Sequence, residues 1–249
     1  MTKGILLFCF DTSDTQYHKI LQRSIPLLQK NLQLEITVVT DIDTFKKMPH
    51  LGRINYKLIE PQTGNQKLHK EWKNLDRCDA YDLSPYDQTL VLDIDYFCFT
   101  DNLLQVFDTN YNFLIPTEAH DVSGRKSMDH RKRSLIPMVW ATVFYFKKGK
   151  ESKTIFQTIK YVKSYYAHFV DLYRITARNF RNDYAFAIAL KQINGFKKFN
   201  TMPYTLATLP ADCKVVEMND KGIGYTWLNN YNFVINQDVH VLDKESINV

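Results

Sequence analysis

The chain has 249 residues, of which 45% are hydrophobic, 24% charged and 14% aromatic. That composition excludes a disordered or collagen-like chain and is enough for a well-buried core. A net charge of +5 permits an anionic partner such as a nucleotide, a nucleic acid or a membrane surface, without demanding one.

Residues 4–10, "GILLFCF", are a continuous apolar run of strand length. "DTSDT" follows with helix-start chemistry, then "QYHKILQRSIPLLQ" repeats apolar residues at helical spacing, with Pro26 expected to kink or shorten the helix. "LEITVVTDID" is a β-branched run that ends in acids, which completes a strand–helix–strand unit of a parallel sheet. "RINYKLIE" predicts another strand, Pro61–Asn65 a loop, and "NQKLHKEWKNLDRC" a polar helix carrying Lys67, Lys70 and Lys73. "TLVLDIDYFCF" is a buried strand, "TDNLLQVFD" a short helix capped by Thr100 or Asp101, and "YNFLIPTE" a strand.

The charged stretch "HDVSGRKSMDHRKRS" has no periodicity and reads as an exposed loop. "IPMVWATVFYFKKG" predicts a strand that ends in a turn, and a long helix is expected from Lys150 to about Val170. A second helix runs from Asn182 to Ile193, with Asn194-Gly195 as its stop. Short strand-like pieces follow. The whole, 1–249, reads as a single α/β domain with a mostly parallel central sheet and an irregular C-terminal part.

None of Cys9, Cys78, Cys98 and Cys213 lies in a C-x-x-C pair, so free thiols and a reducing, cytoplasmic setting are expected. No apolar run approaches the roughly 20 residues of a membrane span. The first run lacks a cleavage site and reads as a core strand.

Chemistry concentrates at Asp93-Ile94-Asp95, at the carboxyl end of the most apolar strand, where ligands of parallel α/β sheets bind. Alternation along the strand puts both carboxylates on one side. Paired carboxylates suit a hard divalent cation and repel each other without one. An acidic turn gives the same pattern by chance.

"LSPYDQTLVLDIDYFCFTDNLLQVF" resembles the metal-binding segment of GT-A glycosyltransferases, closest to the group of glycogenin and the bacterial lipopolysaccharide galactosyltransferases. The match includes the Ser84-Pro85-Tyr86-Asp87 lead-in, the D-x-D and the short helix after it. "FCFDTSDTQYHKILQRSIPLL" resembles the family's first strand and nucleotide-binding turn. "RNDYAFAIAL" resembles its acceptor-side acidic motif, and "DVHVLDK" its late histidine and lysine.

The resemblance implies a Rossmann-like GT-A domain, with residues 1–100 as the nucleotide-binding half and 101–249 as the acceptor-side half. It implies a metal-dependent glycosyltransferase that moves a hexose or pentose from a nucleotide-sugar, a UDP-sugar by preference, to an acceptor hydroxyl. Asp93, Asp95 and His240 would hold Mn2+ or Mg2+. Thr12, Asp14 and Tyr17 would hold the nucleotide, and Lys244 would meet the diphosphate together with Asp93 and its metal. Asp183 would lie beneath the reacting sugar, as a stabilising group in a retaining enzyme. In an inverting enzyme Asp183 or Glu118 would be the base.

The sequence departs from the family at Tyr184, where glutamine is usual, in the missing glycine between His240 and Lys244, and at Trp140-Ala141, where an asparagine turn is usual. The sugar specificity of known members therefore does not carry over. Arg125, Lys126, Arg131, Lys132 and Arg133, then Lys147, Lys148 and Lys150, then Arg174, Arg178 and Arg181 form basic groups. Were they to share a face, the acceptor would be polyanionic, a nucleic acid or a phosphorylated glycan. A non-catalytic nucleic-acid-binding protein is the alternative reading, and it leaves Asp93 and Asp95 unexplained.

Overall fold

The computed structural model describes residues 1–67, 70–126 and 134–248. Strand β1 (Lys3–Phe8), helix α1 (Tyr17–Asn31) and β2 (Glu35–Thr40) form the expected unit, with β1 and β2 parallel. Pro26 does not shorten α1. It sits on the exposed face of the helix. Helix α2 (Ile42–Phe45) and β3 (Asn55–Leu58) follow, with β3 parallel to β2.

The polar helix expected over 65–78 is not formed. The stretch is a hairpin, β4 (Gln66–Lys67) and β5 (Lys70–Glu71), then a 3-10 turn over Leu75–Asp79. Its backbone is held by non-local amide contacts: Asn65 Nδ2 donates to Phe180 O at 3.0 Å and Asn182 Nδ2 to Asn74 O at 3.0 Å. The side chains of Lys67 and Lys70 lie outside the described residues, so their alignment with Lys73 has no structural account.

Helix α3 (Ala80–Leu83) leads into β6 (Gln88–Leu92), which lies parallel to β1 on the side away from β2. After β7 (Tyr96–Phe97), a 3-10 segment over Asn102–Asp108, β8 (Phe113–Leu114) and β9 (Ala119–Asp121), strand β10 (Val143–Lys147) runs antiparallel to both β6 and β8. The central sheet thus has the order β3-β2-β1-β6-β10-β8. Strand alternation divides its side chains between two cores. Ile5, Leu7, Leu90 and Leu92 face α1 through Ile20, Leu21 and Leu28. Leu6, Val91, Phe144 and Phe146 face the other way, against the helices that follow β10.

Those helices are α4 (Lys150–Ser164), α5 (Tyr166–Leu172) and α6 (Asn182–Ile193). The single long helix expected from Lys150 is broken at Tyr165, where φ is −115° and ψ 30°. The buried positions Ile159, Val162, Tyr166 and Phe169 keep helical spacing across the break, so the pattern alone does not show it. Helix α6 has the predicted bounds. It is buried from Tyr184 to Leu190, and Phe186 packs on Phe144 with ring centroids 4.9 Å apart.

The C-terminal part holds β11 (Leu206–Thr208), the antiparallel β12 (Lys214–Met218), β13 (Gly222–Trp227) and β14 (Asn230–Ile235), and then β15 (Val239–His240). Strand β15 enters a second sheet of order β7-β15-β11-β9. It pairs antiparallel with β7, with His240 opposite Tyr96. The late segment is therefore laid directly beside the residues that follow the acidic pair. All four cysteines are buried and free. Among the described residues no helix is long and apolar enough to cross a membrane.

Candidate functional site

Beyond Leu92 the chain leaves the sheet. Asp93 N–H donates to Thr142 O at 2.8 Å, and Tyr96 N–H closes a turn onto Asp93 O at 3.0 Å. Ile94 packs into the core while Asp93 stays partly accessible and Asp95 is buried. The Asp95 carbonyl accepts from Val241 N–H at 3.0 Å, which fixes β15 beside it. As a result one ligand atom each from Asp93, Asp95 and His240 lie within 4.8 Å of one another. His240 Nε2 is 3.4 Å from Asp95 Oδ1, and Nδ1 is 3.5 Å from Thr142 Oγ1.

Lys244 completes this corner. Its Nζ is 3.1 Å from Asp95 Oδ2 and 5.1 Å from the ring centroids of both Tyr17 and Trp72. Asp95 Oδ2 is buried with the Lys244 ammonium as its partner. Burial opposes the charge on Asp95, but the Lys244 ammonium and the His240 ring outweigh it and hold the carboxyl well below the usual range. Burial likewise opposes the charge on Lys244, and Asp95 more than restores it. An ionised carboxylate, a second carboxylate and an imidazole make a donor set suited to Mn2+ or Mg2+, the imidazole favouring Mn2+. The residues therefore fit the implied metal.

Two arginines sort the remaining acids. Arg77 Nη2 contacts Asp93 Oδ1 and its Nη1 donates to Ala141 O at 3.0 Å. That arrangement leaves the other oxygen of Asp93 for a cation. Asp183, at the start of α6, accepts from Ala141 N–H at 3.1 Å on Oδ1 and from Arg181 Nη2 at 2.7 Å on Oδ2. Both of its oxygens are engaged, and the acid locks the 139–141 strap against α6.

These residues line a cleft of about 650 Å³ at the carboxyl ends of β1 and β6. Tyr17, Asp93, Asp95, Asp183, His240 and Lys244, all expected from the sequence, are brought together there. Thr12 and Asp14 are not among the lining residues. Thr12 Oγ1 instead accepts from Thr15 N–H at 3.1 Å, and Asp14 is exposed. The acid built into this turn is Asp11, which is buried and accepts from His18 Nδ1 at 2.7 Å and from Lys47 Nζ at 3.2 Å. Sequence reasoning missed Arg77 and Trp72, and it named Arg181 only within a basic group, not as the partner of Asp183. For Arg181 the Arg-Asn-Asp run at the start of α6 was a usable signal. For Trp72 and Arg77, placed by the hairpin, there was none.

The basic groups do not share one face. Lys147 sits opposite Gln88, at the far end of β6 from Asp93, and Lys148 and Lys150 follow it. Arg125 is paired with Asp121 at 2.8 Å and stacks over Trp227 at 4.3 Å, and Lys126 is paired with Glu118. Arg131, Lys132 and Arg133 lie outside the described residues. Arg178 and Arg181 do reach the cleft. The described residues thus offer no continuous basic track of the kind a nucleic acid needs.

A scan against protein-family models and a search of curated proteins returned no match. Among solved structures the chain is similar to mouse xyloside xylosyltransferase 1 in its apo form. The TM-score is 0.50 at 8% identity, covering 83% of this chain and 85% of that one. It is also similar to the galactosyltransferase LgtC solved with donor and acceptor sugar analogues, with a TM-score of 0.48 at 13% identity, covering 75% and 70% of the two chains. A third similar structure is the Streptococcus pneumoniae glycosyltransferase GlyE, at 18% identity with a TM-score of 0.43, covering 82% of this chain and 46% of that one. Identities this low speak to architecture alone. The chain has a GT-A glycosyltransferase fold, with the mostly parallel sheet expected from its sequence.

Proposed function

We propose that the chain is a glycosyltransferase that uses Mn2+ or Mg2+ to transfer a sugar from a nucleotide-sugar, with UDP as the expected nucleotide, to an acceptor hydroxyl. The observation that carries this reading is the convergence of Asp93, Asp95 and His240 within 4.8 Å at the floor of the cleft. A divalent cation there supplies Lewis-acid stabilisation of the charge that develops on a departing diphosphate. Lys244 is held charged by Asp95 and adds a fixed positive charge beside the same position. Tyr17 and Trp72, both beside Lys244, also line the cleft and offer a nucleotide base aromatic contact remote from the reacting bond, which is binding energy available to the transition state.

Asp183, with both oxygens engaged, acts as an orienting and electrostatic group on the acceptor side. Service as a general base would first require releasing Arg181 or the Ala141 amide. The His240 Nδ1 side lies against Thr142 Oγ1, which leaves Nε2 directed at the carboxylates. The test is a panel of nucleoside-diphosphate sugars incubated with the protein and Mn2+ and scored by release of the nucleoside diphosphate. Release from one or more UDP-sugars is expected. No release from any donor in the panel would refute the proposal.

A further inference from the structure

Beyond the donor half, the cleft continues into a second shallow groove of about 630 Å³, which shares Thr176 and Arg178 with it and adds Arg174. Given the donor reading above, on which this inference rests, we infer that this groove binds the acceptor through a phosphate group, and that the acceptor is a phosphorylated sugar. Charge placement is the first support. In the donor half, Arg77, Arg181 and Lys244 are each opposed by a buried or half-buried acid. A divalent cation there would offset the two charges of the donor's diphosphate. In the groove, Arg178 is opposed only by Asp171, at 2.6 Å, with side chains 76% and 70% exposed. An exposed pair of that kind is worth little and opens readily to a competing anion. No acid among the described residues is paired with Arg174.

The backbone supplies the second support. Helix α5 ends in a Schellman turn: Ile175 N–H donates to Val170 O at 2.8 Å and Arg174 N–H to Asp171 O at 3.3 Å, with Val170 and Ile175 packed together in the buried core. Arg174 takes the left-handed position of that turn, with φ of +53°. Glycine is the usual residue there, because a Cβ carries a steric penalty. Arg174 nevertheless stands at this position, exposed and lining the groove. Only Val170, Asp171, Arg174, Ile175, Thr176 and Arg178 line the groove, two of them cationic, so a compact ligand with one or two phosphates fits it better than a polynucleotide does.

The experiment saturates the protein with UDP and Mg2+, so that the diphosphate position is filled, and titrates mannose 6-phosphate and mannose by ligand-observed NMR. Mannose 6-phosphate should bind at least about tenfold more tightly than mannose. In Arg174→Gly that preference should fall at least about fivefold, with the melting temperature unchanged or raised because the turn gains its preferred residue. Arg174→Asn, which tolerates the same backbone, should lose the preference equally if the glycine variant proves less stable. Equal binding of the two sugars, or a preference that survives both variants, overturns the inference and leaves the donor reading standing. Tighter binding of a single-stranded oligonucleotide that displaces the sugar phosphate also overturns it, in favour of a nucleic-acid acceptor. Failure of UDP to bind at the first step removes the donor reading, and this inference with it.

Discussion

At Asp95 a buried carboxylate stays ionised because Lys244 and His240 stand beside it, one at each oxygen. Asp95→Asn keeps the shape and removes the charge. Turnover should fall by about 10²–10³-fold, the loss typical of removing a group that stabilises transition-state charge. Unfolding free energy should fall by about 3–5 kcal/mol, the usual cost of removing one partner of a buried ion pair. Initial rates and urea denaturation on the same preparation separate the two. The depressed folded pKa also sets a pH window. The contribution of Asp95 is complete above the unfolded carboxylate value, near 3.9, and is lost as pH falls further, so the variant's stability should be flatter with pH below about 4 than the parent's. This residue was legible in the sequence because its signal is local: two acids, one residue apart, ending an apolar strand. Arg77, which takes one oxygen of Asp93, was not legible, since nothing in its neighbourhood distinguishes it from a solvated arginine.

The same contrast holds for elements. Strands β1, β2 and β6 and helices α1 and α6 were legible from unbroken apolar runs and helical spacing, which reflect burial on a sheet face. The antiparallel pairing of β4 with β5 was not, because amide bonds to residues far along the chain, near 180–182, hold the flanking segments in place. Strand β15 is the element on which the site depends most, and it too is pinned by a distant contact. Asp238, two residues before His240, accepts through one oxygen from Phe99 N–H at 2.7 Å, Thr100 N–H at 2.8 Å and Thr100 Oγ1 at 3.0 Å. Its other oxygen is buried without a donor. Burial dominates and raises its carboxyl to about 6, against the partial relief given by the Thr100 and Phe99 bonds. The fold therefore holds this proton more tightly than the unfolded chain does. The contribution is complete below the unfolded value, near pH 3.9, and is lost as pH rises through about 6, by an amount on the order of 3 kcal/mol. Chemical denaturation between pH 4.5 and 7.5 should show that decline in the parent and a much smaller one in Asp238→Asn. Parallel curves would place the proton elsewhere.

For the molecule as a whole, the placement of charge decides what the surface does. The lysines after β10 lie at the end of β6 away from Asp93, while Arg77, Arg178, Arg181 and Lys244 converge on the cleft. Charge reversal at both Lys147 and Lys150 should therefore leave release of nucleoside diphosphate within about twofold of the parent at physiological salt, where the Debye length is roughly 8 Å. A large loss, measured in the same donor assay, would mean that the acceptor or donor reaches across the sheet. The α/β architecture was legible from its strand–helix–strand unit, and its GT-A form through the family resemblance of the segments around Asp93-Ile94-Asp95 and the first strand. The parts of the cleft wall built from loops were not, since the positions of loops depend on their partners.

The most direct measurement of the central claim is calorimetric titration of UDP into the protein with and without Mn2+, repeated on His240→Ala. UDP should bind the parent at least about tenfold more tightly when Mn2+ is present. His240→Ala should keep its fold by circular dichroism but need a higher Mn2+ concentration to reach the same UDP affinity. UDP affinity that is absent, or unchanged by Mn2+ in the parent, would contradict the assignment of Asp93, Asp95 and His240 as the metal centre of a nucleotide-sugar transferase.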